Sequence, residues 1–281
     1  MKKITGFILL IAMVLSMFTA CVGGEEIVVI SREEGSGTRT AFIELFGIEQ
    51  KNEDGTRQDL TTKEAIIAKQ TDVMMTNITG NVNAIGYISL GSLNDTVKAV
   101  QIEGVTPSVE NVQNGTYPIV RPFNIATNGN PSELTQDFIS FILSAEGQTV
   151  VAESYIMVDG NAQPFEGTMP SGRIVIAGSS SVTPVMEKLK EAYLLINPNA
   201  SIEIQQSDSS AGMNSLISGT CDIGMASREL KEAELAQLTC IQIAFDGIVV
   251  IVNRENPITT LTAEQVKAIF TGKVQVWSEV E

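Results

Sequence analysis

Three features of the sequence predict an α/β fold with mainly parallel sheets. Short apolar runs rich in β-branched residues alternate with stretches of helical period from one end of the chain to the other. Two of those runs pass through a Gly/Ser/Thr loop straight into an amphipathic stretch, IVVISREEGSGTRTAFIEL at 27–45 and RIVIAGSSSVTPVMEKLKEAY at 173–193. The length, 281 residues, suits two domains at about 150 residues each.

The elements follow in order. The first junction gives a strand, a loop entered at Arg32, and a helix over 39–46. A polar segment at 49–61 carries an N-E-D-G turn signal, and 63–75 reads as helical. AIGYISL at 84–90 and the run 97–102 read as strands, and Gly and Pro punctuate 104–122. In SELTQDFISFILSA, Leu134, Phe138, Ile139, Phe141 and Ile142 share one helical face with Ser132 as the expected N-cap. The turn-rich stretch 159–172 is the expected connector. Beyond it, Ile174 to Ala177 is a buried strand, and Val185, Met186, Leu189, Tyr193 and Ile196 line a helix stopped by Asn197-Pro198. Residues 201–205 alternate as a strand, SDSSAG turns, 213–218 forms a short helix and CDIGMAS returns as a strand. Two apolar runs flank Asp246-Gly247 within 241–253, and Thr262 caps a closing helix over 262–270.

Composition excludes several classes of function. Lys and Arg number 18 against 33 Asp and Glu, a formal charge of -15, which argues against nucleic acid and against a basic patch docked on anionic lipid. A small anion is still compatible, because oriented dipoles act at short range while distant surface charge is screened within roughly 10 Å at 0.1 M salt. Histidine is absent, which removes Ser-His-Asp and Cys-His catalysis and most zinc or copper sites, so no metal or cofactor is expected. Cys221 and Cys240 lie in apolar, strand-like surroundings and read as buried small side chains, with a disulfide compatible but not implied.

The N-terminus reads as an export signal over 1–20. Lys2 and Lys3 precede the apolar run Phe7 to Phe18, which is short for a helix that must span a bilayer with about 20 residues. Its Phe18-Thr19-Ala20-Cys21 ending resembles a bacterial lipobox, with Phe where Leu is commoner. Cys21 is the expected lipidation site, anchoring the protein to the outer face of the cytoplasmic membrane.

Parallel sheets bind ligands beyond the carboxyl ends of their strands. The loops gathered there, REEGSGT, GSSSVT, SDSSAG and MASREL, are rich in Ser, Thr and Gly. Any single Ser before a helix is usually no more than an N-cap, but four such loops, one with Arg32, suit a dehydrated oxyanion. GSGTR lacks the G-x-x-x-x-G-K-[ST] spacing of nucleotide enzymes, and neither G-x-S-x-G nor S-x-x-K occurs to activate a serine. Glu33 and Glu34 are adjacent and point apart, which suits solvation better than acid-base catalysis. A binding protein is expected and not an enzyme, with a phosphoester-cleaving enzyme as a distant alternative.

SREEGSGTRTAF, NAIGYISLGSL, RPFN, FISFILSAEGQ, GSSSVTPVMEKL, DIGMASREL and AFDGIVVIVN together resemble the phosphate-binding protein of bacterial phosphate-specific ABC importers, in its Gram-positive form. The likeness covers most of 25–281 and implies a two-lobed, type II solute-binding fold, each lobe a mainly parallel sheet flanked by helices. It also implies a monomer that closes on inorganic phosphate and delivers it to the membrane subunits of an ABC permease. The resemblance carries Arg32, Ser36, Gly37 and Thr38 over as the anion loop of one lobe, and Ser180, Ser181, Ser209 and Ser227 as that of the other. Some relatives carry Asp where Ser227 stands. Without that carboxylate, sulfate or another tetrahedral oxyanion and a sensor role form the alternative, with Glu33, Glu34, Asp208 and Asp246 as candidate proton acceptors.

The motif order departs from the one expected of that family, in which GSSSVTP comes first and SREEGSGTR follows in mid-chain. The segment IFTGKVQVWSEVE resembles the one that runs into IVVISREEGSGTR, so the order reads as a circular permutation. One lobe is then assembled from 25–119 and 254–281, and the other is 120–253 with the connector 159–172. A fragment, or halves that pair between molecules, is the alternative to a permuted monomer.

Overall fold

The computed structural model describes residues 25–52 and 57–280. The export signal and Cys21 lie outside the described residues, and no described helix is long and apolar enough to cross a membrane.

The strands, in chain order, are β1 (Val28–Arg32), β2 (Glu49–Lys51), β3 (Arg57–Asp59), β4 (Ile66–Ala68), β5 (Ala84–Ser89), β6 (Lys98–Ala99), β7 (Gln101–Ile102), β8 (Val120–Asn128), β9 (Gly172–Ser179), β10 (Ala200–Ser207), β11 (Ile223–Ala226), β12 (Leu238–Val252) and β13 (Thr260–Leu261). The main sheet has the order β10-β9-β11-β8-β12-β5-β1-β4, with β6 added beside β12. A parallel trio stands at each end, β10-β9-β11 and β5-β1-β4. Between them β8 and β12 run antiparallel to each other and to their outer neighbours β11 and β5. The mainly parallel sheet expected of each lobe is found only in these outer trios, and the sheet as a whole is mixed because the two long strands cross from one half to the other.

Apolar burial divides along the same line. One core gathers Val29, Ile30, Phe42, Ile85, Tyr87 and Phe270 with Ile248 to Val252 of β12. A second gathers Phe123, Phe138, Phe141, Ile176, Leu189 and Tyr193 with Ile243 and Ala244 of the same strand, and a smaller satellite forms around Met213 and Leu216. The two apolar runs read around Asp246-Gly247 belong to one element, which passes straight through that dipeptide. Cross-strand pairing with β8 carries β12 through it as one strand of 15 residues, with an irregularity between Gln242 and Ala244.

Other elements differ locally. Residues 63–75 are not one helix: Ile66 and Ile67 pair in parallel with Ile30 and Ser31, and the helix begins only at Thr71, with Asp72 in its first turn. β-Branched neighbours fit that edge pairing better than a helix interior. The helix after β10 starts at Ser209, earlier than expected, because Asp208 caps it by accepting from the Ala211 amide. The helix after β1 likewise starts at Gly37. Ser132 and Thr262 cap their helices as expected, Thr262 within a reciprocal box with Gln265. The connector is tied down by the Thr168 amide to Asp137 Oδ1 at 2.7 Å and by Asn197 Nδ2 to the Pro170 carbonyl at 2.9 Å. Glu26 bridges Val276, the Ile27 amide donates to the Gln275 carbonyl at 2.7 Å, and the Trp277 amide to the Glu25 carbonyl at 3.0 Å, so 25–27 and 275–277 are neighbours in one molecule.

Candidate anion site

The first wall of the site grows from the end of β1. Arg32 is 2% exposed. Tyr87 of β5 sets the strand end, accepting from the Arg32 amide at 3.1 Å and sharing a hydrogen bond with Ser31 Oγ at 2.9 Å. The guanidinium donates from Nε and Nη2 to the two Glu33 carboxylate oxygens at 2.9 and 2.8 Å, and from Nε to the Ala68 carbonyl at 3.1 Å. Ser36 caps the helix that follows, accepting from the Arg39 amide at 3.3 Å. Its hydroxyl therefore does the ordinary work of an N-cap, while the amides of Gly37 and Thr38 belong to the helix's free first turn.

The opposite wall comes from three strand ends. Ser179 closes β9, and its hydroxyl donates to Ser227 Oγ at 2.9 Å. Ser227 follows β11, and its amide donates to Ser209 Oγ, at the head of the next helix, at 3.1 Å. Ser180 and Ser181 follow in the turn that leads to the helix Thr183–Ile196.

The walls touch. Arg32 Nη2 donates to Ser180 Oγ at 3.0 Å, Thr38 Oγ1 and Ser181 Oγ lie 2.9 Å apart, and the Ser210 amide donates to the Gly35 carbonyl at 3.2 Å. A Cβ added to Gly37 would fall 2.4 Å from Ser209 Oγ and 2.8 Å from Ser227 Oγ, so glycine is needed there for close approach. Arg32, Ser36, Thr38, Ser180, Ser181, Ser209 and Ser227 are all buried. The structure thus brings the eight residues carried over from the resemblance to one junction; Cys21 lies outside the described residues.

Residues not singled out from the sequence also belong here. Thr71 heads its helix and sets Oγ1 3.3 Å from Ser180 Oγ and 3.5 Å from Ser181 Oγ. Reading 63–75 as one helix hid it, although Thr-Asp after Gln70 is a usable start signal. Ser179 stood inside the quoted GSSSVTP run. Arg228 is 3% exposed, bound by Nη1 and Nη2 to both Glu234 oxygens at 2.8 Å, and Nη2 also donates to Ser210 Oγ at 3.3 Å, so it borders the hydroxyl cluster with its charge paired.

The candidate proton acceptors are largely engaged. Glu33 takes Arg32 with both oxygens, and Glu34 is exposed. Asp208 caps its helix, and Asp246 binds Arg121 and Ser89. Burial pushes the Tyr87 phenol up, so it stays a neutral hydrogen-bonding group beside Arg32. Among the described residues no cluster of His, Cys, Asp and Glu could hold a metal ion, and Cys221 and Cys240 are free thiols. Burial pushes the Cys221 thiol up to about 11, which leaves it protonated and unreactive at neutral pH.

Neutral hydroxyls from both halves, one guanidinium and helix-start amides form a polar cage with the chemistry of an oxyanion host.

Comparison with known proteins agrees with this chemistry. The PBP superfamily domain matches residues 21–146 and 164–281. The phosphate-binding protein PstS 2 of Streptococcus agalactiae serotype V is 52% identical over 255 residues, covering 90% of this chain and 87% of that one. A crystal structure of a phosphate-binding protein of a phosphate ABC transporter from Streptococcus pneumoniae TIGR4 is 45% identical, with a TM-score of 0.71, over 91% of this chain and 100% of that one. An alignment of that extent means that the S. agalactiae protein has its segments in the same order, so the motif order is not peculiar to this chain. The phosphate-binding protein PstS of Staphylococcus haemolyticus matches over 111 residues only, 36% identical, 37% of this chain and 35% of that one. The chain is a member of the PBP superfamily, in the branch represented by the streptococcal PstS 2 phosphate-binding proteins, a group of binding proteins and not of enzymes.

Proposed function

We propose that the protein captures inorganic phosphate between its two halves and delivers it to an ABC permease. The observation that carries this reading is the convergence of Arg32 and Thr38 on Ser180 and Ser181 at 3.0 and 2.9 Å, a shell complete only when both halves meet. Arg32 supplies a charge-assisted pair to phosphate oxygens, roughly twice as strong as a neutral hydrogen bond. Ser36, Gly37 and Thr38 bring the positive end of their helix, and Ser180, Ser181, Ser209 and Ser227 close the other side. An anion bonded from both halves favours the closed arrangement beyond what the direct wall-to-wall hydrogen bonds supply, which is what a delivery protein needs.

The same reading assigns 25–119 with 254–281 to one lobe and 120–253, including the connector 159–172, to the other. Packing of Ile248 to Val252 in the first core favours moving that end of β12 to the first lobe. It takes the motif order as a circular permutation relative to the staphylococcal protein. The partial staphylococcal match and the contact of 25–27 with 275–277 support that view, and the latter favours closure within one monomer over halves that pair between molecules. The segment before Glu25 serves as export signal and Cys21 as lipid anchor on the outer face of the cytoplasmic membrane. Moving Cys21→Ala from the membrane to the soluble fraction is the outcome expected of that anchor; an unchanged distribution contradicts it.

Calorimetric titration of the purified protein with phosphate and with sulfate tests the ligand. Saturable heat with phosphate and much weaker heat with sulfate is expected. Equal heats would favour a general oxyanion sensor, in keeping with a hydroxyl at Ser227, and no heat from either would overturn the reading.

A further inference from the structure

Two sequence motifs have no role in the shell described so far, RPFN at 121–124 and AFDG at 244–247, and the fold sets them side by side. Arg121 on β8 is paired in register with Asp246 on β12. Its Nε and Nη2 donate to Asp246 Oδ2 at 3.0 and 2.9 Å, and Ser89 Oγ donates to the other carboxylate oxygen at 2.8 Å. An ion pair this dry is weak support for stability, because desolvation offsets much of its attraction. Its geometry has a different consequence. With two nitrogens fixed on Asp246, the third, Nη1, donates to the backbone carbonyl of Ser227 at 3.2 Å. Three residues along the same strand, Asn124 Nδ2 donates to the backbone carbonyl of Arg228 at 3.0 Å.

Local sequence explains why side chains do this work. β11 ends at Ala226, opposite Asn124 in an antiparallel ladder. One further pair would set its continuation against Phe123 and the next against Pro122, which has no N–H to give. Ser227 and Arg228 are nonetheless buried, at 0% and 3% exposure, and buried carbonyls need donors. Arg121 and Asn124 supply them. The segment so held is the one whose amide donates to Ser209 Oγ and whose hydroxyl accepts from Ser179.

We propose that Arg121 and Asn124 are positioning residues for the anion site, fixing the successive carbonyls of 227 and 228 so that the Ser227 hydroxyl and amide stay aimed into the shell. Asp246 acts one step further back by orienting Arg121. The inference rests on the phosphate reading above, and it makes RPFN a part of the ligand site that touches no ligand.

A double-mutant cycle between Asn124→Leu and Ser227→Ala tests it, because residues acting through one another are non-additive whereas a general loss of stability adds. Phosphate affinity is measured by calorimetry up to millimolar ligand, with thermal melting alongside. Each single variant is expected to bind about tenfold more weakly, and the double variant within about threefold of Ser227→Ala alone, since the hydroxyl that Asn124 helps to position is then gone and only the backbone amide remains. Multiplied losses in the double variant, unchanged affinity in Asn124→Leu, or loss of all binding in Ser227→Ala would overturn the proposal. Should Asn124→Leu fail to fold, Asn124→Ser carries the same cycle. A wild-type protein that binds no phosphate overturns the functional reading itself, whereas binding with an additive cycle overturns only the positioning role.

Discussion

Arg32 and Arg121 are buried alike, each 2% exposed, yet they are neutralised in different ways. Arg32 pairs with its chain neighbour Glu33, whose side chain is 17% exposed, and reaches across to a serine hydroxyl of the other half. Arg121 pairs with Asp246, whose side chain is 0% exposed, and its remaining bond goes to a backbone carbonyl. The first guanidinium stands where the halves meet with a partner at the edge of water, so its charge can be shared with an incoming anion. The second stands where the two crossing strands pair and is committed to the fold. Burial alone does not separate a ligand-binding cation from a structural one; the partner's exposure and the address of the spare N–H do.

The sharpest way to break this contrast is to remove the committed cation. Arg121→Met leaves Asp246 buried without its partner, and unfolding in urea is expected to show a loss of about 3–5 kcal/mol. Burial already pushes the Asp246 carboxyl up against the opposing pull of Arg121. A carboxyl raised in the folded state costs stability as pH rises through its titration, so the deficit of Arg121→Met should shrink as pH is lowered. A loss below about 1 kcal/mol, flat with pH, would contradict the assignment.

Arg32→Ala should do the reverse, costing on the order of 2 to 5 kcal/mol of phosphate binding with a smaller effect on unfolding of the free protein. An affinity change below about threefold would move the site elsewhere. Gly37→Ala comes next. Its new methyl meets Ser209 and Ser227 hydroxyls inside contact distance, so closure should weaken by about 1–3 kcal/mol, read as affinity, while urea unfolding stays near wild type. The smallest effect belongs to Thr71→Val, where loss of one neutral hydroxyl facing Ser180 should cost about 0.5–1.5 kcal/mol of binding. An unchanged affinity would exclude the helix Thr71–Thr79 from the shell.

The sequence exposed the strand-to-helix junctions because their chemistry is local: an apolar run, small loop residues, a cap and a helical period lie within some twenty positions. Arg32 and the serines could be selected on those grounds and then by resemblance. The crossing strands were harder to read. The sequence shows two apolar runs around Asp246-Gly247, and only pairing with β8, more than a hundred residues away, joins them as one strand. Thr71 was masked for a related reason, since edge pairing of Ile66 and Ile67 with β1 displaces the helix start. RPFN and AFDG were visible as motifs, but their joint hold on the backbone after β11 depends on where that strand ends, and no local pattern announces it.

The central claim, one anion shell assembled from two halves, is tested most directly by small-angle X-ray scattering of the same protein with and without saturating phosphate. A smaller radius of gyration with phosphate, absent in Arg32→Ala, is the predicted result. Superimposable curves from a protein whose calorimetry registers phosphate binding would contradict it.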